Sequence, residues 1–332
     1  MVNYHQKLSS FLSTGRTLIA FKDKDSYLAT QQNKGYSLLE AGKEIVSKKP
    51  EKCNFYDVEY ASGYYFLYEG SGKELLRKSI DGTSLERWYK IDLTNGWGGG
   101  KCIRVALKGQ ALAVNRAKKN ISILEILLDG SVGWRIDIEK DLGGHLWDHQ
   151  VFGEAMDLVL SLTNDGWIVV HHIDLDGVKA TQRCKYKTQF TERVEETSTI
   201  AVCPKNRFLM VHTRVNTRAS RVLIMEFFGD RIQQRSSFDV YQQNIKYFHT
   251  AEFYGYVGNL LLLTAITWSE PMSKILSFSF DPKKGELVEC GRFRKEIKTK
   301  KVRKLVKVDD VFFYSDLSSN LVMIKYSTSG EE

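Results

Sequence analysis

Apolar residues along this chain come in short runs, some alternating with polar ones and some unbroken, and Gly, Asp, Asn or Ser cuts each run off. That pattern predicts strands joined by tight turns rather than helices. Over one stretch, Asn54 to Tyr60, Tyr64 to Tyr68, Glu74 to Ile80 and Leu85 to Asp92 read as four strands, a to d. The next stretch repeats the order with Ile103 to Leu107, Ala111 to Asn115, Ile121 to Leu128 and Val132 to Ile138. Farther on, b–c hairpins are predicted for Met156 to Leu162 with Trp167 to Ile173, Phe208 to Thr213 with Val222 to Phe228, and Leu260 to Thr267 with Ile275 to Phe280. Leu305 to Val308, Val311 to Tyr314 and Leu321 to Tyr326 supply a, b and c of a last unit. Runs such as Ile168-Val169-Val170 and Val311-Phe312-Phe313-Tyr314 suit a pleated, buried surface.

The turns recur at a near-constant interval. Ile80-Asp81-Gly82, Leu128-Asp129-Gly130 and Leu175-Asp176-Gly177 place their aspartates 48 and then 47 residues apart. Asp-Gly between apolar runs is the preferred chemistry of a two-residue hairpin, whose central positions both need φ > 0. The same step finds weaker turns at Asn33-Lys34-Gly35, Gly229-Asp230, Lys284-Gly285 and Ser329-Gly330. Seven turns fit a repeat of about 47 residues. The expectation is an all-β chain: a seven-bladed β-propeller of four-stranded antiparallel blades, or six blades if the first 50 residues do not complete one. The blades fall at approximately 1–50, 51–97, 98–145, 146–190, 191–243, 244–298 and 299–332 of a single domain. The last unit lacks strand d, so residues near Met1 to Leu12 are expected to supply or abut it and close the ring.

Two copies carry an aromatic residue and an aspartate in strand d, as Trp88-Tyr89-Lys90-Ile91-Asp92 and Trp134-Arg135-Ile136-Asp137. A four-stranded repeat of this length with these residues resembles the WD-repeat superfamily of β-propellers. The family's Gly-His and Trp-Asp, normally most of a blade apart, occur here only together in Gly144-His145-Leu146-Trp147-Asp148. The resemblance implies a rigid docking platform for several partners, seldom an enzyme. The Phe-Arg-Arg-Gly of the phosphoinositide-binding branch is replaced by Arg292-Phe293-Arg294-Lys295, and that activity is not implied.

Composition agrees with a folded chain: 42% apolar, 27% charged, and 4 prolines against 17 Phe, 16 Tyr and 6 Trp. The segment Met1 to Lys7 lacks an apolar core of signal-peptide length, and the longest apolar stretch, around Leu260 to Ile266, is far short of a membrane span. Cys53, Cys102, Cys184, Cys203 and Cys290 are odd in number and scattered, so they read as reduced core thiols of a cytoplasmic or nuclear protein.

Charge is concentrated. Arg292, Arg294, Lys295, Lys298, Lys300, Lys301, Arg303, Lys304 and Lys307 face one acid, Glu296, a local +8 that equals the net charge of the whole chain. Such a segment is a candidate site for an acidic protein, RNA or another polyanion, or else a solvated connecting loop. Arg214, Arg218 and Arg221 form a weaker cluster before Val222. Trp97 and Trp147, read as loop residues, are candidate rim contacts or caps of the blade cores. His145 and His149 are four apart but read as loop residues with no third ligand placed by spacing, so no metal is assigned. His171 and His172 are neighbours on a strand and point to opposite faces. Gly96 to Lys101 fails as a phosphate loop: it is one residue short, Cys102 replaces Ser or Thr, and a strand follows. No catalytic triad ordering or carboxylate pair emerges, and no cofactor is implied.

The sequence thus points first to a non-catalytic interaction scaffold or adaptor subunit whose basic segment meets something acidic. RNA or polyanion binding is the alternative, and an enzyme with a site at the central channel the second one.

Overall fold

Runs that are apolar at consecutive positions need partners on both faces, and radially stacked sheets provide them. The computed structural model describes residues 2–7, 17–31, 35–40, 43–48, 55–69, 74–79, 85–90, 102–116, 120–138, 145–188, 199–203, 207–216, 219–239, 247–268, 273–289, 295–297, 305–309, 311–315 and 320–325. Strand β1 (Val2–Lys7) comes first in the chain. Blade 1 is β2 (Thr17–Asp23), β3 (Ser26–Gln31), β4 (Gly35–Glu40) and β5 (Lys43–Lys48). Blade 2 is β6 (Phe55–Ala61), β7 (Tyr64–Glu69), β8 (Glu74–Ser79) and β9 (Glu86–Lys90). Blade 3 is β10 (Ile103–Ala106), β11 (Ala111–Arg116), β12 (Asn120–Ile126) and β13 (Val132–Ile138). Blade 4 is β14 (Leu146–Phe152), β15 (Leu158–Thr163), β16 (Trp167–Asp174) and β17 (Lys179–Lys187). Blade 5 is β18 (Thr199–Val202), β19 (Phe208–Asn216), β20 (Ala219–Phe227) and β21 (Ile232–Asp239). Blade 6 is β22 (Tyr247–Val257), β23 (Leu260–Trp268), β24 (Ser273–Asp281), β25 (Glu286–Glu289) and β26 (Lys295–Ile297). Blade 7 is β27 (Val306–Val308), β28 (Val311–Ser315) and β29 (Asn320–Lys325), with β1 as its fourth strand.

Every sheet is an antiparallel meander, a to d. The inner strands β2, β6, β10, β14, β18, β22 and β27 pack each against the next, and β27 returns to β2. The architecture is a seven-bladed β-propeller. Its seventh sheet is finished by the other end of the chain, with β1 running antiparallel to β29 from Val2↔Lys325 to Lys7↔Asn320.

The core lies in the seams between blades. On β12, Ile121 and Ile123 join Leu146, Val159 and Val169 of blade 4, whereas Leu124 and Ile126 join Phe66, Tyr68 and Leu75 of blade 2. On β20, Val222 and Ile224 face blade 6 and Leu223 and Met225 face blade 4. Strand side chains alternate between faces, so an unbroken apolar run here serves two seams at once. The strand-d aromatics also link blades. The Trp88 indole N–H donates to the Gly130 carbonyl in the turn of the next blade at 2.6 Å, and Arg77 donates to Asp129 O of the same turn at 3.1 Å.

Several details differ from the sequence reading. The Leu128-Asp129-Gly130 turn is a three-residue loop: Leu127 N–H donates to Ser131 O at 3.0 Å, Gly130 N–H to Leu127 O at 2.7 Å, and only Gly130 has positive φ, +74°. Asp129 contributes its carboxylate, which accepts from the Ser131 N–H at 2.8 Å and hydroxyl at 2.7 Å. Of Asn33-Lys34-Gly35 only Gly35 is described; it opens β4 opposite Gln31 of β3, so this signal belongs to the b–c connection and not to the c–d turn of its blade. The c–d turn at residues 81–82 and Ser329-Gly330 lie outside the described residues. Strand β15 starts at Leu158, because Met156 turns the chain with φ +54°. The outer strand of blade 6 is split, β25 pairing with the Phe278–Asp281 half of β24 and β26 with the Ser273–Ile275 half.

In the turn Leu175-Asp176-Gly177 the left-handed residue is Val178, at φ +45°, and not the glycine. A β-branched side chain is strained there. Val178→Gly is therefore expected to stabilise the protein by about 1 kcal/mol after the extra chain entropy of glycine, raising Tm by about 2 °C in a thermal melt.

Candidate functional site

In a four-stranded meander strands a and c run in the same direction, so the a–b and c–d turns of every blade emerge at one end. The large apolar side chains exposed among the described residues all sit there. Leu127 and Leu128 occupy the c–d turn of blade 3, Leu175 and Val178 that of blade 4, and Phe228 that of blade 5; Tyr256 and Leu260 flank the a–b turn of blade 6, and Val288 follows its c–d turn. They fall on one rim of four successive blades, 3 to 6.

Between blades 5 and 6 this rim opens into a cavity of about 460 Å³ lined by Arg207, Glu226, Phe228, Arg235, Tyr256 and Lys283, among others. Glu226, at the end of β20, is 2% exposed and is shared by two guanidinium groups. Arg207 donates through Nε to its Oε1, and Arg235 Nε lies 3.3 Å from its Oε2. Arg235 also donates through NH2 to Pro282 O at 3.4 Å and so ties blade 5 to blade 6. The Arg207 guanidinium stands 5.9 Å from the ring of Phe208 and 5.8 Å from that of Phe228, with Arg231 4.7 Å from Phe228. Burial first, then Cys203, holds the Tyr256 phenol above its ordinary pKa against the pull of Arg207, so it keeps its proton at neutral pH and can donate. The cavity is cationic with aromatic walls.

A second polar cluster lies on the inner strands. Asp57 Oδ2 accepts from the backbone N–H of Cys102 at 2.7 Å and of Ile103 at 3.0 Å, stitching blade 2 to blade 3. Asp148 Oδ2 does the same for Ile200 N–H at 3.0 Å and the Thr199 hydroxyl at 3.2 Å, stitching blade 4 to blade 5. Arg104, 7% exposed, stands between them, with NH1 3.4 Å from Asp57, NH2 3.8 Å from Asp148, and Nε donating to Gln150 at 3.1 Å. Each aspartate follows an extra residue, Tyr56 or Trp147, that shifts the strand register. These carboxylates serve the blade joints. Sequence reasoning met Asp148 only in the displaced Trp147-Asp148 pair, with no role for it, and missed Asp57; the signal was an aromatic-Asp pair recurring two repeats apart on strand a.

Some of the sequence-nominated residues are among those described. Lys295 lies on β26, and Lys307 lies on β27 with its ammonium donating to Tyr254 O and 5.2 Å from that ring. Arg292, Arg294, Lys298, Lys300, Lys301, Arg303 and Lys304 lie outside the described residues, as do Trp97 and Arg218. Trp147 is not in a loop: it sits half-buried on β14, where its blade needs the extra residue before Asp148. Arg214 and Arg221 are on β19 and β20, because that hairpin runs on until only residues 217–218 are left between its strands. His149 is likewise on β14, fully buried, with Nε2 3.1 Å from Ala113 O, while His145 is exposed. His171 is buried, and His172 on the opposite face pairs with Asp157 at 3.1 Å.

No protein-family model matches the sequence, and no curated protein matches it. Solved structures match its fold. The β-propeller domain of Cps50 (Swd1) from Myceliophteria thermophila superposes with a TM-score of 0.66 at 11% identity, over 98% of this chain and 100% of that one. YCF48 from Cyanidioschyzon merolae gives 0.64 at 9% identity, over 98% and 99%. BamB from Moraxella catarrhalis gives 0.57 at 9%, over 95% and 86%. At such identities the likeness is one of fold.

Proposed function

We propose that this β-propeller is a non-catalytic interaction scaffold, an adaptor subunit that holds protein partners on the rim formed by its a–b and c–d turns. The observation that carries this reading is the row of exposed apolar side chains from Leu128 through Phe228 to Leu260, which the fold does not require and which costs solubility unless a partner covers it. The buried carboxylates of the inner strands support a binding role over catalysis, because they are spent on backbone N–H groups and Arg104. The basic segment Arg292 to Lys307 adds a contact for an acidic partner, in the cytoplasm or nucleus.

The test is affinity purification with quantitative mass spectrometry of the wild type, of Leu128→Asp/Phe228→Asp, and of a charge reversal at Lys300, Lys301, Arg303 and Lys304. The rim variant is expected to lose its stable companions by about tenfold or more while remaining folded, with a cooperative melt lowered by no more than a few degrees, since Leu128 is fully exposed and Phe228 lies at the surface. A wild type that elutes alone, or companions indifferent to the rim variant, overturns the reading. If the charge reversal instead abolishes salt-dependent RNA binding, the basic segment belongs to a nucleic acid.

A further inference from the structure

We propose that the cavity between blades 5 and 6 seats an acidic peptide segment of a partner protein, one carboxylate on its arginines and a neighbouring apolar side chain against Phe228 and Tyr256. The proposal rests on the reading of the rim as a docking surface and names the chemistry of what docks.

The cavity has the size of a ligand site, about 460 Å³. Its charge is unbalanced: Arg207, Arg235 and Lys283 surround a single carboxylate, Glu226. That carboxylate uses Nε and NH2 of Arg207 and Nε of Arg235, and Pro282 O takes NH2 of Arg235. Among the described residues NH1 of each arginine and Nζ of Lys283 are left without an acceptor. Glu226 is buried and anchors both guanidinium groups, so these donors are held in place before a ligand arrives. Little side-chain entropy is then lost on binding, which favours a bidentate carboxylate.

Two observations select a peptide over a nucleic-acid strand. The walls beside the donors are aromatic and outward-facing, Phe228 and Tyr256 being 37% exposed each, and the apolar row continues to Leu260 and Val288. A chain alternating acidic and apolar side chains satisfies both sets. A run of phosphates would meet the acidic residues of the neighbouring c–d connections, Asp230 between β20 and β21, and Asp281 and Glu286 at the facing ends of β24 and β25. Isolated anionic groups fit where a continuous polyanion is repelled.

The probe is a short fluorescein-labelled peptide, Gly-Gly-Glu-Leu-Glu-Phe-Glu-Gly-Gly, added to the full chain and followed by anisotropy. Its counterpart with Lys for each Glu and a labelled single-stranded RNA serve as comparators. The acidic peptide is expected to bind at least about tenfold more tightly than either, and to weaken as salt rises from about 50 to about 300 mM. Lys283→Glu is expected to weaken it about tenfold and Tyr256→Ser about fivefold. Lys283 is exposed and outside the Glu226 pairing, so Tm is unchanged for Lys283→Glu, and a cooperative melt checks that Tyr256→Ser is still folded. Equal binding of the acidic and basic peptides, no binding by either, tighter binding of the RNA, or indifference to Lys283→Glu overturns the proposal. If the peptide fails while co-purifying proteins still depend on Phe228, the rim remains a docking surface and only its proposed ligand is wrong. If both fail, the scaffold reading goes as well.

Discussion

A chain lacking residues 1–7 is expected to lose its sharp thermal transition and to expose β29 as an open sheet edge. In the intact ring β1 contributes a six-residue antiparallel pairing to blade 7, from Val2↔Lys325 to Lys7↔Asn320. At about 1 kcal/mol net for each of about six ladder bonds, its removal costs on the order of 3–6 kcal/mol before any side-chain burial is counted. That is a large part of the stability of an ordinary folded chain. The consequence reaches past blade 7, because inner strand β27 holds its place between β22 and β2, and both seams loosen with it. Circular dichroism melts give the loss in Tm, and size-exclusion chromatography reports pairing of free β29 edges between molecules. A synthetic peptide of residues 1–12 added in trans is expected to restore the transition in a concentration-dependent manner. Proline substitutions provide a finer version. Successive N–H groups of a strand point to opposite edges, so of Tyr4→Pro and His5→Pro one removes a bond to β29 and the other does not. A truncation that melts like the wild type would mean that closure contributes nothing.

The second large effect is expected at the inner ring. Asp57→Ala removes the acceptor for Cys102 N–H and Ile103 N–H and the nearest charge partner of Arg104 in one step. Orphaning two buried backbone donors costs about 2–4 kcal/mol, while Arg104 keeps Glu59 at 3.7 Å and Asp148 at 3.8 Å. Asp57→Asn keeps the shape and one acceptor oxygen, so it is expected to cost about 1–3 kcal/mol. Asp148→Ala is milder, because Thr199 and Ile200 lose an acceptor while Arg104 retains Asp57 at 3.4 Å. Denaturant titration separates the three, with m unchanged if the denatured state is the same. Combining Asp57→Ala with Arg104→Met is expected to cost less than the two changes summed, since their shared ion pair is lost only once. A cost below about 1 kcal/mol for Asp57→Ala would show that Asp57 does not hold the joint between blades 2 and 3.

What could be read from the sequence was whatever is local. Alternating and unbroken apolar runs marked strands such as β12 and β16, and Gly130 and Gly229 marked the reversals between them, because φ > 0 restricts the residue type at the turn itself. The reading slipped where a different residue took that conformation, as Val178 does beside Gly177. The cavity and the inner ring were not legible for another reason. Asp57 meets Cys102 across 45 positions, and the cavity collects Arg207, Glu226, Tyr256 and Lys283 from four separate segments. No spacing within one repeat carries that information. The basic segment was legible as charge, yet charge did not reveal that Lys307 is engaged by Tyr254.

Strands wedged between two neighbours have a parity. Ile123 and Leu124 are adjacent in the chain, yet the first supports the joint with blade 4 and the second the joint with blade 2. Shaving a methyl group from one or the other therefore loosens opposite sides of the same wedge, and an odd or even residue number tells which hinge line yields. Damage from a single site stays confined to one boundary, while any insertion of a single residue into such a strand exchanges its allegiances on both sides.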